Sequence, residues 1–191
     1  MTAVLVVLGV ILGVVALAAL IAILVYNRMV ALRQTTNQAW ADVDVQLKQR
    51  HDLVPNLVET VKGYASHEKS TLDAVVRARN AAVSAQGPEA ASVAEGQLSG
   101  ALRQLFALTE AYPDLKANTG FLQLQGELSN LETRIAAARR FFNNAVAEFN
   151  TAIEQFPAVL LAGMFGFKAR GFFELKEAER AVVEAAPSVK F

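Results

Sequence analysis

The side chains best placed by type and spacing to do chemistry are His67 and Glu68. They open the zinc-protease pattern in which a second histidine, one helical turn after the first, completes a shared metal site with the glutamate as general base. Thr71 stands where that histidine would have to be. The pattern is therefore incomplete. The only other imidazole is His51, sixteen residues earlier, and a composite site would need Asp or Glu ligands whose convergence the sequence does not show. With no cysteine in the chain, thiol nucleophiles, disulfides and Cys-based zinc sites are excluded. No Gly-rich phosphate loop, nucleophile elbow or dinucleotide fingerprint occurs. The sequence thus assigns no catalytic, cofactor-binding or metal-ligating residue, and the chain reads as a protein that is not an enzyme.

Three arginines raise a different question. Arg50, Arg79 and Arg139 sit on or beside apolar helical seams, with Asp52, Glu68 and Glu132 as candidate partners. A guanidinium taken into a core requires paired, hydrogen-bonded carboxylates, so the expectation is a buried polar network that fixes helix register. Asn56, Asn143, Asn144 and Asn150 are expected to hydrogen-bond within the same layers. On this reading Arg79→Ala strands a carboxylate and costs about 3 to 5 kcal/mol. The rival reading makes Arg50, His67 and Glu68 the lining of a polar inter-helix pocket, a ligand-binding or enzymatic module.

Several helices must position these groups. From Thr36 the apolar residues Trp40, Val43, Leu47, Val54, Leu57, Val61 and Tyr64 recur at helical spacing with Arg50 on their seam. Pro55 interrupts that helix. A proline deprives the carbonyl four residues back of its donor, so the chain either kinks there, the preferred reading, or restarts with Asp52 as a cap. A second helix shares Glu68, Leu72, Val75, Arg79 and Ala82 on one face. Gly87 and Pro88 signal the start of a third, with Leu98, Leu102, Leu105, Leu108 and Tyr112 on its face and Gly96 and Gly100 open to close backbone approach. After a loop from Asp114 to Asn118, the fourth runs on a seam from Phe121 through Leu128, Ile135, Phe142 and Phe149 to Phe156, where Pro157 stops it. Ser99, between these faces, is expected to be exposed.

The stretch that decides the setting lies before all of these. Ala3 to Val25 is twenty-three residues without charge, amide or proline, sixteen of them Val, Leu or Ile. At 1.5 Å per residue it reaches roughly 34 Å, enough for a hydrocarbon core of about 30 Å. Insertion of those aliphatics is favourable by roughly 5 to 10 kcal/mol. The core is too long, and its start too poor in Lys and Arg, for a cleaved signal peptide. Arg28 and Arg33 after the span favour a cytoplasmic location for the soluble domain. No turn signal separates the span from the first helix, so the two are expected to form one rod.

Phe156 to Phe173 is apolar but too short to span, with Lys168 and Arg170 interrupting it. Two readings stay open: a segment lying in the headgroup region, with Phe172 and Phe173 among its lipid-facing aromatics, or a cap on the bundle core. Glu174 to Ala186 reads as a short helix. Gly9, Gly13 and Ala16 form a small face in the span that would support homo-oligomers. Lys plus Arg and Asp plus Glu are both 18, so no field draws in nucleic acid.

The stretches Trp40 to Tyr64, His67 and Glu68, Ala78 and Arg79, Tyr112 to Asn118 and Glu132 to Pro157, in that order, resemble the LemA family. The resemblance implies a single-pass bacterial membrane protein with a four-helix-bundle soluble domain and no established enzymatic activity. It also implies partners among membrane proteins, a membrane protease included, with one branch of the family serving magnetosome membranes. Phe142 and Phe149 depart from it, since tyrosine is frequent there. The expected architecture is all-α: a transmembrane anchor over residues 1–27, an up-and-down four-helix bundle over 28–156, and a membrane-proximal apolar segment with a short helix over 157–191. The expected role is to scaffold or regulate membrane protein assemblies, in part by self-association, at the bacterial inner membrane.

Overall fold

A computed structural model describes residues 1–174. Its elements are α1 (Thr2–Lys62), α2 (Lys69–Ser84), α3 (Gly87–Thr109), α4 (Pro113–Lys116), α5 (Thr119–Glu154) and α6 (Ala158–Ala162). All regular structure among the described residues is helical. The expected helix from Glu174 to Ala186 falls outside them beyond its first residue.

The apolar stretch and the first amphipathic helix are one element of 61 residues, with Pro55 inside it. The chain does not restart at Asp52, which is exposed within the helix. What makes this tolerable is a replacement donor. Pro55 has no N–H to offer the carbonyl of His51, four residues back, and the Nε of Arg79 on α2 donates to that oxygen at 3.2 Å. Arg79 is half-buried, and its partner is a backbone carbonyl rather than the carboxylate anticipated.

Local signals set most other boundaries. Gly87 adopts φ +80°, a conformation that glycine enters without the cost a Cβ would impose, and Pro88 follows in the first turn of α3. The connection expected as a loop contains α4, because Leu115 is fully buried and a one-turn helix carries it into the core. Asn118 then caps α5, its Oδ1 accepting from the Phe121 amide at 2.9 Å. Around Gly100 there is open space where a Cβ would go, so it serves no close approach.

The chain divides into two compact units. One comprises residues 40–143 and the segment from Gly171. Its core joins Val54, Leu57 and Val61 of α1 to Leu72 and Val75 of α2, Leu98, Leu102 and Leu105 of α3, and Phe121 and Leu128 of α5. Trp40 packs at a tilt against Phe142 and Phe173, at 5.3 and 5.8 Å between ring centroids.

The other unit comprises residues 1–39 and 144–170. Met29, Phe149, Ile153, Ala158, Ala162 and Phe167 form its core. Here the seam of α5 ends differently from expectation: Ala152 and Ile153 are buried, whereas Phe156 is 80% exposed. The Phe156 to Phe173 stretch accordingly follows neither reading as a whole. Phe167 and Phe173 are buried, while Phe156, Val159, Leu160, Met164 and Phe165 are exposed. Phe173 is thus a core residue and not a lipid-facing one.

The carbonyl of His51 gives a direct test. Arg79→Ala is expected to cost about 1 to 3 kcal/mol, the penalty of a buried acceptor left without a donor. In a Pro55→Ala background the restored amide should take over, and thermal melting should show the Arg79→Ala cost shrinking toward zero. Equal costs in both backgrounds would refute the replacement.

Candidate functional site

On α3 the buried positions Ala91, Leu98, Leu102 and Leu105 set a seam that passes through Glu95. On α1 the seam of Val43, Leu47, Val54 and Leu57 passes through Arg50. Helical periodicity therefore delivers one cation and one anion to the interior. The side chains of Arg50 and Glu95 are 2% and 6% exposed. Arg50 Nη1 lies 3.4 Å from Glu95 Oε2 and 3.1 Å from Glu132 Oε1 of α5. Its Nη2 donates to Ser99 Oγ at 2.8 Å.

The other oxygen of Glu95 meets the Nε2 of His51 at 2.5 Å. Together with the bond from Arg79 to the His51 carbonyl, this layer ties α1 to α2, α3 and α5. Cavities adjoin it among the described residues. One of about 250 Å³ is lined by Asp44, Lys48, His51, Asp52 and Arg79 among others, and one of about 370 Å³ by Gln49, Asp52, Glu127 and Arg134 among others.

The chemistry open to this arrangement is narrow. Arg50 lies between Glu95 and Glu132, with its Nε and the Glu95 Oε2 buried without a hydrogen-bond partner, His51 is engaged by Glu95, and the Ser99 hydroxyl accepts from Arg50 instead of facing a base as a nucleophile would. Among the described residues no group of three His, Cys, Asp or Glu converges as metal ligands would. The geometry is that of a register-fixing polar layer.

The structure departs from several expectations. Arg50, His67 and Glu68 do not share a pocket. Arg50 and the end of α1 are already separated by about 18 Å of helix, His67 beyond it is exposed, and Glu68 accepts from the Tyr112 hydroxyl at 3.2 Å. Of the carboxylates expected to partner the arginines, only Glu132 reaches Arg50. Glu95 is the partner that sequence reasoning misses, although its position three residues before Leu98 puts a carboxylate on an apolar face, which is the available signal. Ser99, expected to be exposed, is the hydroxyl that Arg50 grips.

The asparagines act on backbone rather than within one layer. Asn143 accepts from the Phe173 amide at 2.9 Å and donates to the Phe173 carbonyl at 3.2 Å. Asn150 makes the same two bonds to Arg170, both at 2.9 Å. Asn56 and Asn144 are exposed. Phe142 and Phe149 are buried to 2% and 1%, so phenylalanine suits sites that bury the whole ring.

Comparison with known proteins bears on this region. A model of the LemA family matches residues 39–191, which includes the whole polar layer. Magnetosome protein MamQ of Magnetospirillum gryphiswaldense is 27% identical over 179 residues, covering 80% of this chain and 66% of that protein. Magnetosome protein MamQ 1 of Paramagnetospirillum magneticum is 26% identical with the same coverage. Protein LemA of Metamycoplasma hominis is 29% identical over 143 residues, covering 73% of this chain and 64% of its own length. The chain thus spans just under two thirds of these relatives.

Two outcomes are expected. Arg50→Met should cost about 3 to 5 kcal/mol by stranding Glu95, and combining it with Glu95→Met should recover most of that loss in melting of the detergent-solubilised protein. Burial first, then the hydrogen bond to Glu68 and its charge, raises the Tyr112 phenol above its ordinary 10.0. A pKa raised by folding gives stability that is complete below about pH 10 and lost as pH climbs through the raised value. Tyr112→Phe should flatten that alkaline loss.

Proposed function

Since the chain belongs to the LemA family, we propose that it is a membrane-anchored, non-enzymatic helical protein that organises or regulates membrane protein assemblies, self-association included. In this reading residues 1–27 are the anchor, residues 28–156 form an up-and-down four-helix bundle, and residues 157–191 stay near the bilayer. The anchor sits in the inner membrane of a bacterium, with the bundle on the cytoplasmic side that Arg28 and Arg33 favour. Its partners are other membrane proteins, a membrane protease among the classes to be tested, and further copies of the chain.

The observation that carries this reading is the exposure of α1. Every Val, Leu and Ile from Val4 to Leu24 is exposed, from 40% at Ile21 to 74% at Leu12. One helix presenting that much aliphatic surface on all sides is solvated by lipid, not water. The polar layer supports the non-enzymatic part, because Arg50 is set against Glu95 and Glu132 and His51 against Glu95.

In-cell photocrosslinking from the exposed positions Val83 and Phe141, 52% and 53% accessible, followed by mass spectrometry, tests the proposal. Recovery of membrane proteins or of a second copy is expected. A monomer that joins to nothing at either position, in native membranes, would overturn it.

A further inference from the structure

The unit containing residues 1–39 and 144–170 holds a second apolar surface, and its arrangement is inverted. In α6, Ala158 and Ala162 face the core at 8% and 6% exposure, while Val159 and Leu160 point outward at 50% and 64%. A helix packed against a core and bathed in water does the opposite, burying its large side chains and exposing its alanines. Phe156 before it and Met164 after it are 80% and 79% exposed. From Phe156 to Phe167 there is no charged residue. A contiguous exposed patch of this kind marks an interaction surface.

The same unit indicates what covers it. Phe165 lies edge-on to Tyr26, their ring centroids 5.0 Å apart, and Phe167 meets the same ring at 5.8 Å. Tyr26 follows directly on the apolar stretch ending at Val25. It stands where tyrosine is favoured, at the boundary between hydrocarbon and water. The patch is therefore at the depth at which α1 leaves the lipid. Cations rim it: Arg33 lies with its guanidinium 5.1 Å from the centre of the Phe167 ring, and Lys168 is exposed one residue later. Gly166, at φ +71°, turns the chain back between the apolar knob and this basic residue.

We infer that Phe156 to Phe165 is a second membrane contact, a short re-entrant elbow with Phe156, Leu160 and Met164 in the headgroup–acyl boundary of the leaflet from which α1 emerges, and with Arg33 and Lys168 directed to anionic headgroups. The inference rests on α1 crossing the bilayer. The occupant is lipid rather than a second copy because the surface is continuous with the lipid-solvated face of α1 through Tyr26.

The absence of native cysteine makes the test clean. Full-length protein with a single cysteine at Ile11, Glu154, Leu160 or Met164 is labelled with an environment-sensitive fluorophore and reconstituted in vesicles of phosphatidylcholine and phosphatidylglycerol. Leu160→Cys and Met164→Cys should emit to the blue of Glu154→Cys, be quenched by a shallow nitroxide lipid, and resist aqueous iodide. Iodide quenching at 160 and 164 equal to that at 154 would overturn the elbow. So would self-quenching at 160 and 164 that grows with protein density without nitroxide quenching, the signature of a second copy on the patch. Ile11→Cys separates the two levels: a label there that iodide reaches removes the spanning helix itself, whereas a lipid-buried label at 11 with wet labels at 160 and 164 removes the elbow alone.

Discussion

Taking Arg50 out of water is the demand on which the rest of the 40–143 unit is arranged. A desolvated guanidinium is stable only beside carboxylates and acceptors held in place. Those come from three helices: Glu95 and Ser99 from α3, Glu132 from α5, and His51 from α1 itself as the second ligand of Glu95. Sliding any of these helices along its axis by one residue would separate the charges. The apolar contacts above and below are non-directional and would tolerate such a slip more readily. Specificity of register thus resides in a few polar atoms, while the area buried by the seams supplies the driving force.

The proline in α1 belongs to the same layer. Pro55 removes the donor from the carbonyl of His51, the residue whose side chain reaches Glu95, and Arg79 supplies the substitute. One residue of α1 is therefore held by two neighbours at once, its backbone by α2 and its side chain by α3. This couples the correct seating of α2 to that of α3. The arrangement also explains how a long helix carries an internal proline without restarting.

Much of this is legible in the sequence. The apolar stretch, its continuity with α1, the extents of α2 and α3 to within a few residues, and the seam of α5 through Phe149 all follow from periodicity and breakers. Resemblance to the LemA family follows from ordered motifs. The site is only half readable. Arg50 announces itself as a charge on an apolar seam, but spacing along one helix says nothing of which partner another helix will bring, so Asp52 and Glu68 look as plausible as Glu95. The proline signals a gap in the helix, yet the residue that fills it, Arg79, reads from its seam as a partner for a carboxylate. Phe156 escapes the pattern for a related reason: a seam continued by period alone cannot register that Ile153, Ala158 and Ala162 fill the core of its unit.

The grips made by Asn143 and Asn150 bear on how such a chain can change over time. A side-chain amide that pairs with a backbone N–H and C=O recognises the path of the main chain and is indifferent to the side chain carried there. Drift in residue type at Arg170 therefore leaves its tether intact, whereas either asparagine is restricted: aspartate lacks the donor and glutamine reaches a methylene too far. Divergent descendants can in this way rewrite the surface chemistry of the returning segment, basic in one and apolar in another, without altering where it runs.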